Sequence, residues 1–411
     1  MKNLIKGVVD RGLTLSFMRR SATYPSHLTA RFAAIDRLIM FHLVFGLPWL
    51  VVVLRFLMPL PWLWSLKVII AAILLIASQY HLVSRISSGS VFSPEFPRAL
   101  VIAFNVLFGA IVMLAVFQIA LDIVSLGVAL VNRSFPSVPP EVRYAIGIVA
   151  FLLSGFAVSQ AVRVPPLKTV EIAIPSLPGA FEGYRMLQLT DLHISRLFPR
   201  SWAEEVVRRS NDLQPDITLV TGDFIDGSLD ARREDIAPIA GLEARDGVFA
   251  IPGNHEYYFG YEGWMKHDAG MGIRMLLNQH AVIERGGDKI IVAGLTDLAA
   301  FGTNLPRPDL DKALKGAPAG VPIILMEHQP RLAKRSAAQG VALQLSGHTH
   351  GGMVRGLDLL VSRANDGYVS GLYRVGDMQL YVNNGTGLWP GFALRLGRPS
   401  ELTLITLRRA P

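Results

Sequence analysis

The 411-residue sequence contains no cysteine. Disulfide bonds, thiolate metal sites and cysteine nucleophiles are therefore excluded, and any metal ion must be held by nitrogen and oxygen ligands. Charged residues are also nearly missing from one long stretch, between about Leu38 and Val162. Because 51% of all residues are hydrophobic and they concentrate there, the sequence predicts a membrane module that is followed, from Lys168 onward, by a water-soluble domain.

Four apolar stretches within residues 38–163 are long enough to cross a bilayer, which takes about 20 residues each. They cover residues 38–58, 62–83, 99–131 and 144–162. A signal peptide is the alternative interpretation of the first stretch. Against it, the basic leader, residues 1–37, is long, and no small-residue cleavage site follows. We therefore expect an all-α module of about four transmembrane helices.

The net charge of +8 suits either nucleic acid or anionic lipid headgroups. Seven Lys and Arg residues in the leader precede the first apolar stretch, which favours the lipid bilayer as partner, and no nucleic acid is expected. Basic segments stay in the cytoplasm, and four crossings return the chain there. We therefore expect a multi-pass protein of the cell (inner) membrane with a cytoplasmic C-terminal domain. The sequence makes no prediction of oligomeric state.

Five short apolar runs in residues 168–411 each end in polar, glycine-rich sequence. The runs are "RMLQL", "DITLV", "VFAI", "PIILM" and "VALQL". Such runs predict buried strands, and sequences between them such as "SWAEEVVRRSNDL" predict helices. Alternating strands and helices predict an α/β layered fold. Polar residues beyond the carboxyl ends of strands would then meet in one ligand-binding crevice.

Side chains that bind metal ions concentrate in these turns, which contain five of the ten histidines. The candidates are Asp191, His193, Asp223, Asp226, Asn254, His255, His328, His348 and His350. Imidazole and carboxylate without thiolate suit Mn, Fe, Zn or similar divalent ions. This many ligands suits two ions that share a carboxylate. The neighbouring glycines, such as Gly253 and Gly347, would permit sharp turns and let a phosphate approach the backbone.

The motifs "DLH", "GDFID", "GNHE", "EHQP" and "GHTH" follow one another in the order and spacing that resemble the calcineurin-like metallophosphoesterase superfamily. The sequence toward the C-terminus, "GLYRVGDMQLYVNNGTG", resembles the membrane-associated bacterial branch of that family. The resemblance covers about residues 168–408. It implies a four-layer αββα sandwich, in which two mixed β-sheets face each other and helices cover the outside.

The resemblance also implies that two divalent metal ions each have four ligands and share one carboxylate. The ligands of the first ion would be Asp191, His193, Asp223 and His350. The ligands of the second ion would be Asp223, Asn254, His328 and His348. His255 would stabilise the transition state or protonate the leaving oxygen, and Asp226 would orient it. A hydroxide held between the ions would attack phosphorus in line.

Weaker candidates rest on proximity in sequence alone. Arg196, Asn304 and Trp389 are candidates for substrate contact, and Asp297 is a candidate for supporting a metal ligand. A non-catalytic sensor or transporter with a phosphoesterase-like domain is the alternative function. Against a transporter, the third apolar stretch has one interior carboxylate, Asp122, without a clear partner. The intact motifs favour an enzyme.

The expected activity is hydrolysis of a phosphodiester or pyrophosphate rather than of a phosphomonoester. A lipid-linked phosphate or a nucleotide–lipid pyrophosphate suits a membrane-anchored enzyme. The motifs themselves do not distinguish these substrates from a general phosphate ester.

Overall fold

Five helices precede the first β-strand in the computed structural model, which describes residues 45–410. These helices are α1 (Phe45–Leu57), α2 (Trp64–Ser78), α3 (Tyr80–Ser88), α4 (Arg98–Asn132) and α5 (Pro140–Val162). Helices α4 and α5 are long and apolar enough to cross a membrane, with hydropathies of 2.7 and 2.0. Helices α2 and α3 form one further span only if the pair, bent by 55°, crosses as a unit.

The predicted module of four transmembrane helices is therefore not confirmed: the described residues contain two helices that are long and apolar enough to cross a membrane, or three if the bent pair is one span. The first predicted span, residues 38–58, begins outside the described residues, and helix α1 within it is shorter than a span. The predicted second span, residues 62–83, is broken in the structure at Gln79, which has φ −95° and ψ 23°. The chain becomes more polar there, and Tyr80, His81 and Ser84 of α3 are buried.

Contacts near the helix ends show how these helices are arranged. At one end, the rings of Trp62 and Tyr144 stack 6.0 Å apart. At the other end, the Tyr80 hydroxyl and the Asn105 amide both donate hydrogen bonds to the backbone oxygen of Pro390, at 3.0 and 2.9 Å. Since Pro390 belongs to the C-terminal half, the second end of the helices lies against the α/β domain.

The carboxylate of Asp122 has partners, contrary to the expectation from sequence. Its two oxygens each lie 3.0 Å from a guanidinium nitrogen of Arg55, and Gln118 donates to it at 2.8 Å. A carboxylate so neutralised is a weak candidate for an ion-transport site.

Two six-stranded mixed β-sheets form the C-terminal half. Their strands are β1 (Leu167–Ile174), β2 (Arg185–Leu189), β3 (Ile217–Thr221), β4 (Val248–Ile251), β5 (Arg274–Met275), β6 (Gln279–Arg285), β7 (Asp288–Gly294), β8 (Ile323–Met326), β9 (Leu343–Ser346), β10 (Gly371–Val375), β11 (Met378–Val382) and β12 (Leu402–Arg409). The strand order is β1-β12-β2-β3-β4-β5 in one sheet and β10-β11-β9-β8-β7-β6 in the other. The five apolar runs predicted as strands are β2, β3, β4, β8 and β9.

The two sheets share an apolar core between their inner faces. Met186 and Leu219 of the first sheet are fully buried in the same cluster as Ile324 and Leu345 of the second. Leu187, the neighbour of Met186, is buried in a different cluster, as the two-residue alternation of a strand requires. Strands β2, β3 and β4 pair in parallel, as do β7, β8 and β9, so their carboxyl ends meet at one edge of each sheet.

The C-terminal half also contains α-helices, some of which pack against the outer faces of the sheets. They are α6 (Arg200–Asp212), α7 (Leu229–Ile236), α8 (Asn254–Tyr258), α9 (Tyr261–Gly270), α10 (Leu310–Leu314), α11 (Ala333–Ala338) and α12 (Asp358–Ala364). Val206 of α6 is buried with Leu187 of the first sheet, and Ala333 of α11 with Leu325 of the second. The α/β fold with two mixed sheets is thus confirmed.

Candidate metal centre

The predicted ligands all lie within a few residues after the end of a strand. They come after β2 (Asp191, His193), β3 (Asp223), β4 (Asn254), β8 (His328) and β9 (His348, His350). The structure brings the histidines and carboxylates into three groups whose ligand atoms lie within 4.8 Å of one another. The groups are Asp191–His193–His350, Asp223–His328–His348 and His193–Asp226–His255.

The first group places two imidazoles, tilted by 39° to each other, beside a carboxylate. The Nε2 atoms of His193 and His350 are 3.3 Å apart, and they lie 3.9 and 3.7 Å from Oδ1 of Asp191. All three side chains are almost completely buried. Burial disfavours the charged form of Asp191 and raises the pKa of its carboxyl group. Buried charges in proteins are paired or coordinate metals, and this donor set fits a divalent cation.

Asp223 connects the first group to the second. Its Oδ2 atom is 3.1 Å from Nε2 of His328 and 3.8 Å from Nε2 of His193. Asn254 adds a carbonyl oxygen, Oδ1, that is buried and has no hydrogen-bond partner within the described residues. An unsatisfied buried oxygen of this kind is costly unless it binds a group such as a cation.

The backbone at the candidate ligands is strained. Five of the seven have φ values between 46° and 68°, in the left-handed region that side chains other than glycine rarely adopt. They are Asp191, His193, Asp223, His348 and His350. Strain of this kind persists where the surrounding structure enforces it, and it clusters at functional sites.

Two glycines allow the carboxylates to lie against the backbone. A Cβ atom at Gly253 would collide with the carboxylate of Asp223, and one at Gly347 would collide with that of Asp191. From the sequence, these glycines are expected to permit sharp turns and to let a phosphate approach the backbone. The structure assigns the space at both positions to candidate metal ligands.

Hydrogen bonds to the Nδ1 atoms determine which ring nitrogen faces the centre. Nδ1 of His328 lies 2.7 Å from the backbone oxygen of Thr221, and Nδ1 of His193 lies 3.1 Å from Oδ2 of Asp226. Because both partners are acceptors, the rings donate from Nδ1, which leaves Nε2 free as a ligand atom.

His255 lies at the edge of the centre and is 5% exposed. Its Nδ1 is hydrogen-bonded to Oδ1 of Asp226, and its Nε2 is 3.9 Å from Oδ2 of Asp223. Burial opposes protonation of the imidazole, but the carboxylates of Asp223 and Asp226 outweigh it and raise the pKa of His255 to about 9. Burial disfavours the charged form of Asp226, but the neighbouring imidazoles of His193 and His255 outweigh burial and lower the pKa of its carboxyl group.

Glu256 is a residue of the site that the sequence analysis missed. Its buried carboxylate accepts hydrogen bonds from the backbone amides of Gly253, Phe224 and Asp223, at 2.6, 2.8 and 3.1 Å. One side chain thus ties the "GDFID" turn to the "GNHE" turn. The signal was present, because Glu256 is the last letter of "GNHE", but it carried no predicted role.

Arg395 was also missed, and the sequence carries no local signal for it. Its fully buried guanidinium donates to the backbone oxygens of His350, Asn384 and Gly387. The backbone amide of Arg395 donates to Ala157 of helix α5, at 3.0 Å. Arg395 therefore connects the last ligand turn to a membrane helix.

The weaker candidates have varied surroundings. Asp297 is buried and accepts hydrogen bonds from Nε2 of Gln329, the neighbour of His328. Arg196 is paired with Glu95 at 2.8 Å. Asn304 lies in an exposed loop. The contact with Gln329 supports a structural role for Asp297 beside the turn that carries His328.

Buried imidazoles and carboxylates at the carboxyl ends of strands, on two facing mixed sheets, form a donor set that fits divalent metal ions. The chain belongs to the calcineurin-like metallophosphoesterase family. Residues 184–352 match the family model described as "Calcineurin-like phosphoesterase". The chain is 31% identical over 269 residues to an uncharacterized metallophosphoesterase of Helicobacter pylori, a match that covers 65% of this chain and 70% of that protein.

Vertebrate relatives also match. A "transmembrane protein with metallophosphoesterase domain" from Danio rerio is 36% identical over 272 residues, which cover 64% of this chain. The match spans only 62% of the length of that relative. Among solved structures, a calcineurin-like phosphoesterase of Bacillus subtilis, YfkN, is 14% identical with a TM-score of 0.35, covering 50% of this chain and 82% of that one. That score is too low to add support.

Proposed function

We propose that the protein is a membrane-anchored hydrolase of phosphoester or pyrophosphate bonds that uses two divalent metal ions. The position of Asp223 carries the proposal, because its Oδ2 faces Nε2 of His328 at 3.1 Å and Nε2 of His193 at 3.8 Å. A carboxylate in this position can be shared by two ions about 3.5–4 Å apart. The proposed ligands are Asp191, His193, Asp223 and His350 for one ion, and Asp223, Asn254, His328 and His348 for the other.

Bound divalent ions would supply a nucleophilic water near neutral pH and would neutralise charge on the phosphoryl oxygens. The chain's residues hold the ligands in place for this chemistry. Thr221 and Asp226 accept the Nδ1 protons of His328 and His193. Asp191 is held by the Thr190 hydroxyl at 3.0 Å and by the backbone amide of His348 at 3.1 Å.

We assign proton transfer to His255. Its Nδ1 is held by Asp226, and its Nε2 lies 3.9 Å from Oδ2 of Asp223, a proposed metal ligand. An alkoxide that leaves phosphorus needs a proton, and a positioned imidazole can supply it. Because Asp226 accepts from Nδ1, the proton given to the leaving oxygen would come from Nε2.

The substrate class follows from the membrane helices. A substrate that resides in the bilayer, such as a lipid-linked phosphodiester or a nucleotide–lipid pyrophosphate, reaches a membrane-anchored site directly. A soluble phosphomonoester has no need of the anchor. Within that class, the proposed reaction is hydrolysis of a diester or a pyrophosphate.

We further propose four crossings of the cell membrane and a cytoplasmic C-terminal domain. In support, helices α3, α4 and α5 each place one end against the α/β domain, through Tyr80, Asn105 and Ala157. The basic leader favours the cytoplasm for the N-terminus. A reporter fused after Pro411 should behave as cytoplasmic. Digestion of the C-terminal domain by protease added outside intact cells that lack an outer barrier would overturn this topology.

The activity is tested with purified, metal-stripped protein that is reloaded with Mn, Zn, Fe or Mg. It is offered a model diester, a monoester and a lipid–nucleotide pyrophosphate. We expect metal-dependent hydrolysis, faster for the diester or the pyrophosphate than for the monoester. Tight metal binding without hydrolysis of any substrate would contradict the proposal and would favour the sensor.

A further inference from the structure

The segment between two of the apolar helices reaches the candidate active site. This interhelical segment, residues 89–97, joins helix α3 to helix α4. Its Phe92 ring lies edge-on to the His255 ring, with centroids 5.2 Å apart. The same ring stacks on Tyr258 at 5.4 Å and meets Trp389 at 5.5 Å. A residue from the membrane half thus touches the proposed proton donor.

Polar contacts directly after Phe92 hold the segment in place. The Ser93 hydroxyl donates to the backbone oxygen of Asp226 at 3.1 Å. Glu95 forms ion pairs with Arg196 and with Arg232, whose side chain is fully buried. The segment is therefore anchored on the turn that carries Asp226, rather than lying loosely over it.

The rings around His255 form an aromatic face, which consists of Phe92, Tyr258 and Trp389. Tyr258 is 52% exposed, and Phe92 and Trp389 are half-buried. Trp389 also lies 6.0 Å from the ring of His81 in helix α3. The aromatic face thus offers apolar surface between the polar centre and the helices that lead into the membrane.

We propose that the interhelical segment is a wall of the active site, and that Phe92 binds the apolar part of an amphiphilic, lipid-linked phosphoester. This inference rests on the proposed function. Its occupant follows from continuity, because the segment leads directly into α4, which is long and apolar enough to cross a membrane. Transfer of a lipid acyl chain from water onto aromatic surface is favourable.

A purely structural role of Phe92 is the competing explanation. In that case the ring only covers His255, and its removal would slow hydrolysis of every substrate by the same factor. If the segment binds the apolar group of the substrate, removal of the Phe92 ring slows hydrolysis more for a substrate with a larger apolar group. The test therefore compares substrates that share a leaving group and differ only in the group that stays on phosphorus.

The experiment uses the full-length, metal-loaded protein in detergent with two diesters, methyl p-nitrophenyl phosphate and dodecyl p-nitrophenyl phosphate. The wild-type protein should prefer the dodecyl ester. Phe92→Ala should lower the ratio of kcat/KM for the dodecyl ester to that for the methyl ester by about tenfold, mainly through KM. Phe92→Leu, which keeps an apolar side chain, should restore most of the ratio.

Phe96→Ala is the matched control. Phe96 lies in the same segment, but its ring packs against Phe104 at 6.1 Å. If loss of an aromatic ring only loosened the segment, this variant would change the ratio as Phe92→Ala does. We expect Phe96→Ala to keep the wild-type ratio.

A second readout needs no turnover. Binding of dodecyl phosphate to the metal-loaded protein should weaken about tenfold in Phe92→Ala relative to binding of inorganic phosphate. An unchanged ratio in both readouts, or a ratio changed equally by Phe96→Ala, overturns the proposed wall. Selective dodecyl phosphate binding without hydrolysis of either diester would instead contradict the proposed function and leave the wall supported.

Discussion

Oδ1 of Asp226 is hydrogen-bonded to Nδ1 of His255. The other oxygen of this carboxylate, Oδ2, lies 3.1 Å from Nδ1 of His193. One buried side chain thus orients an imidazole proposed to bind metal and an imidazole proposed to transfer a proton. The sequence analysis paired Asp226 with His255 alone, because motif spacing does not show which rings a carboxylate meets.

Asp226→Asn should therefore impair metal binding as well as catalysis. Loss of a carboxylate that orients a ligand histidine typically costs about 10–100-fold in metal affinity or activity. We expect a loss of this size in a metal titration of the purified variant, with a larger loss in kcat. Asp230→Asn, a change at a fully exposed position nearby, should bind metal as the wild type does. Wild-type metal affinity in Asp226→Asn would show that the contact between Asp226 and His193 does not contribute to metal binding.

Asp223→Asn tests the shared ligand. Elemental analysis of the wild-type protein should find about two transition-metal ions per chain. The variant should lose both ions, because the amide is a weaker ligand than the carboxylate that the two groups of ligands share. Retention of the full metal content by Asp223→Asn would refute the bridging assignment.

His255→Ala separates metal binding from proton transfer. The variant should keep its metal ions and its fold, since His255 is not a proposed ligand. Its kcat should fall about 10²–10⁴-fold for an ester with an alkoxide leaving group, and less for p-nitrophenolate, which needs no proton.

His348→Ala is the contrasting variant for this test. It should lose metal affinity and should fail on both kinds of ester alike. If His255→Ala loses metal and His348→Ala does not, the two roles are wrongly assigned.

Arg395→Met should loosen the connection between the last ligand turn and the membrane helices. The variant leaves the backbone oxygens of His350, Asn384 and Gly387 without their guanidinium donor. A buried acceptor left unsatisfied costs about 1–3 kcal/mol, so the unfolding temperature in detergent should fall clearly. Arg374→Met, at an exposed site, is the control. Equal unfolding temperatures for the two variants would contradict this role.

The sequence was informative where chemistry and local pattern coincide. Asp191, His193 and Asp223 follow apolar runs that form β2 and β3, so their common edge could be predicted from strand topology alone. The left-handed backbone conformation of these residues could not be predicted from the sequence, because packing rather than residue type enforces it. Strand propensity also carries no information about the imidazole that each carboxylate contacts.

Long-range contacts explain most of what the sequence left hidden. Phe92 and His255 are 163 residues apart in the sequence, and Arg395 reaches His350 across 45 residues. No sequence periodicity or motif predicts either contact. The break at Gln79 was missed for a related reason: an apolar run predicts a span, but it does not show that Tyr80, directly after the break, contacts Pro390 of the C-terminal half.

The most direct test of the two-metal hydrolase is a titration of activity against bound metal. Metal-stripped protein receives increasing Mn²⁺, and hydrolysis of a p-nitrophenyl diester is measured with the metal content of the same sample. We predict that activity rises to a plateau at about two equivalents of bound metal and that Asp223→Asn stays inactive throughout. A plateau at one equivalent, or wild-type activity in Asp223→Asn, would contradict the two-metal centre.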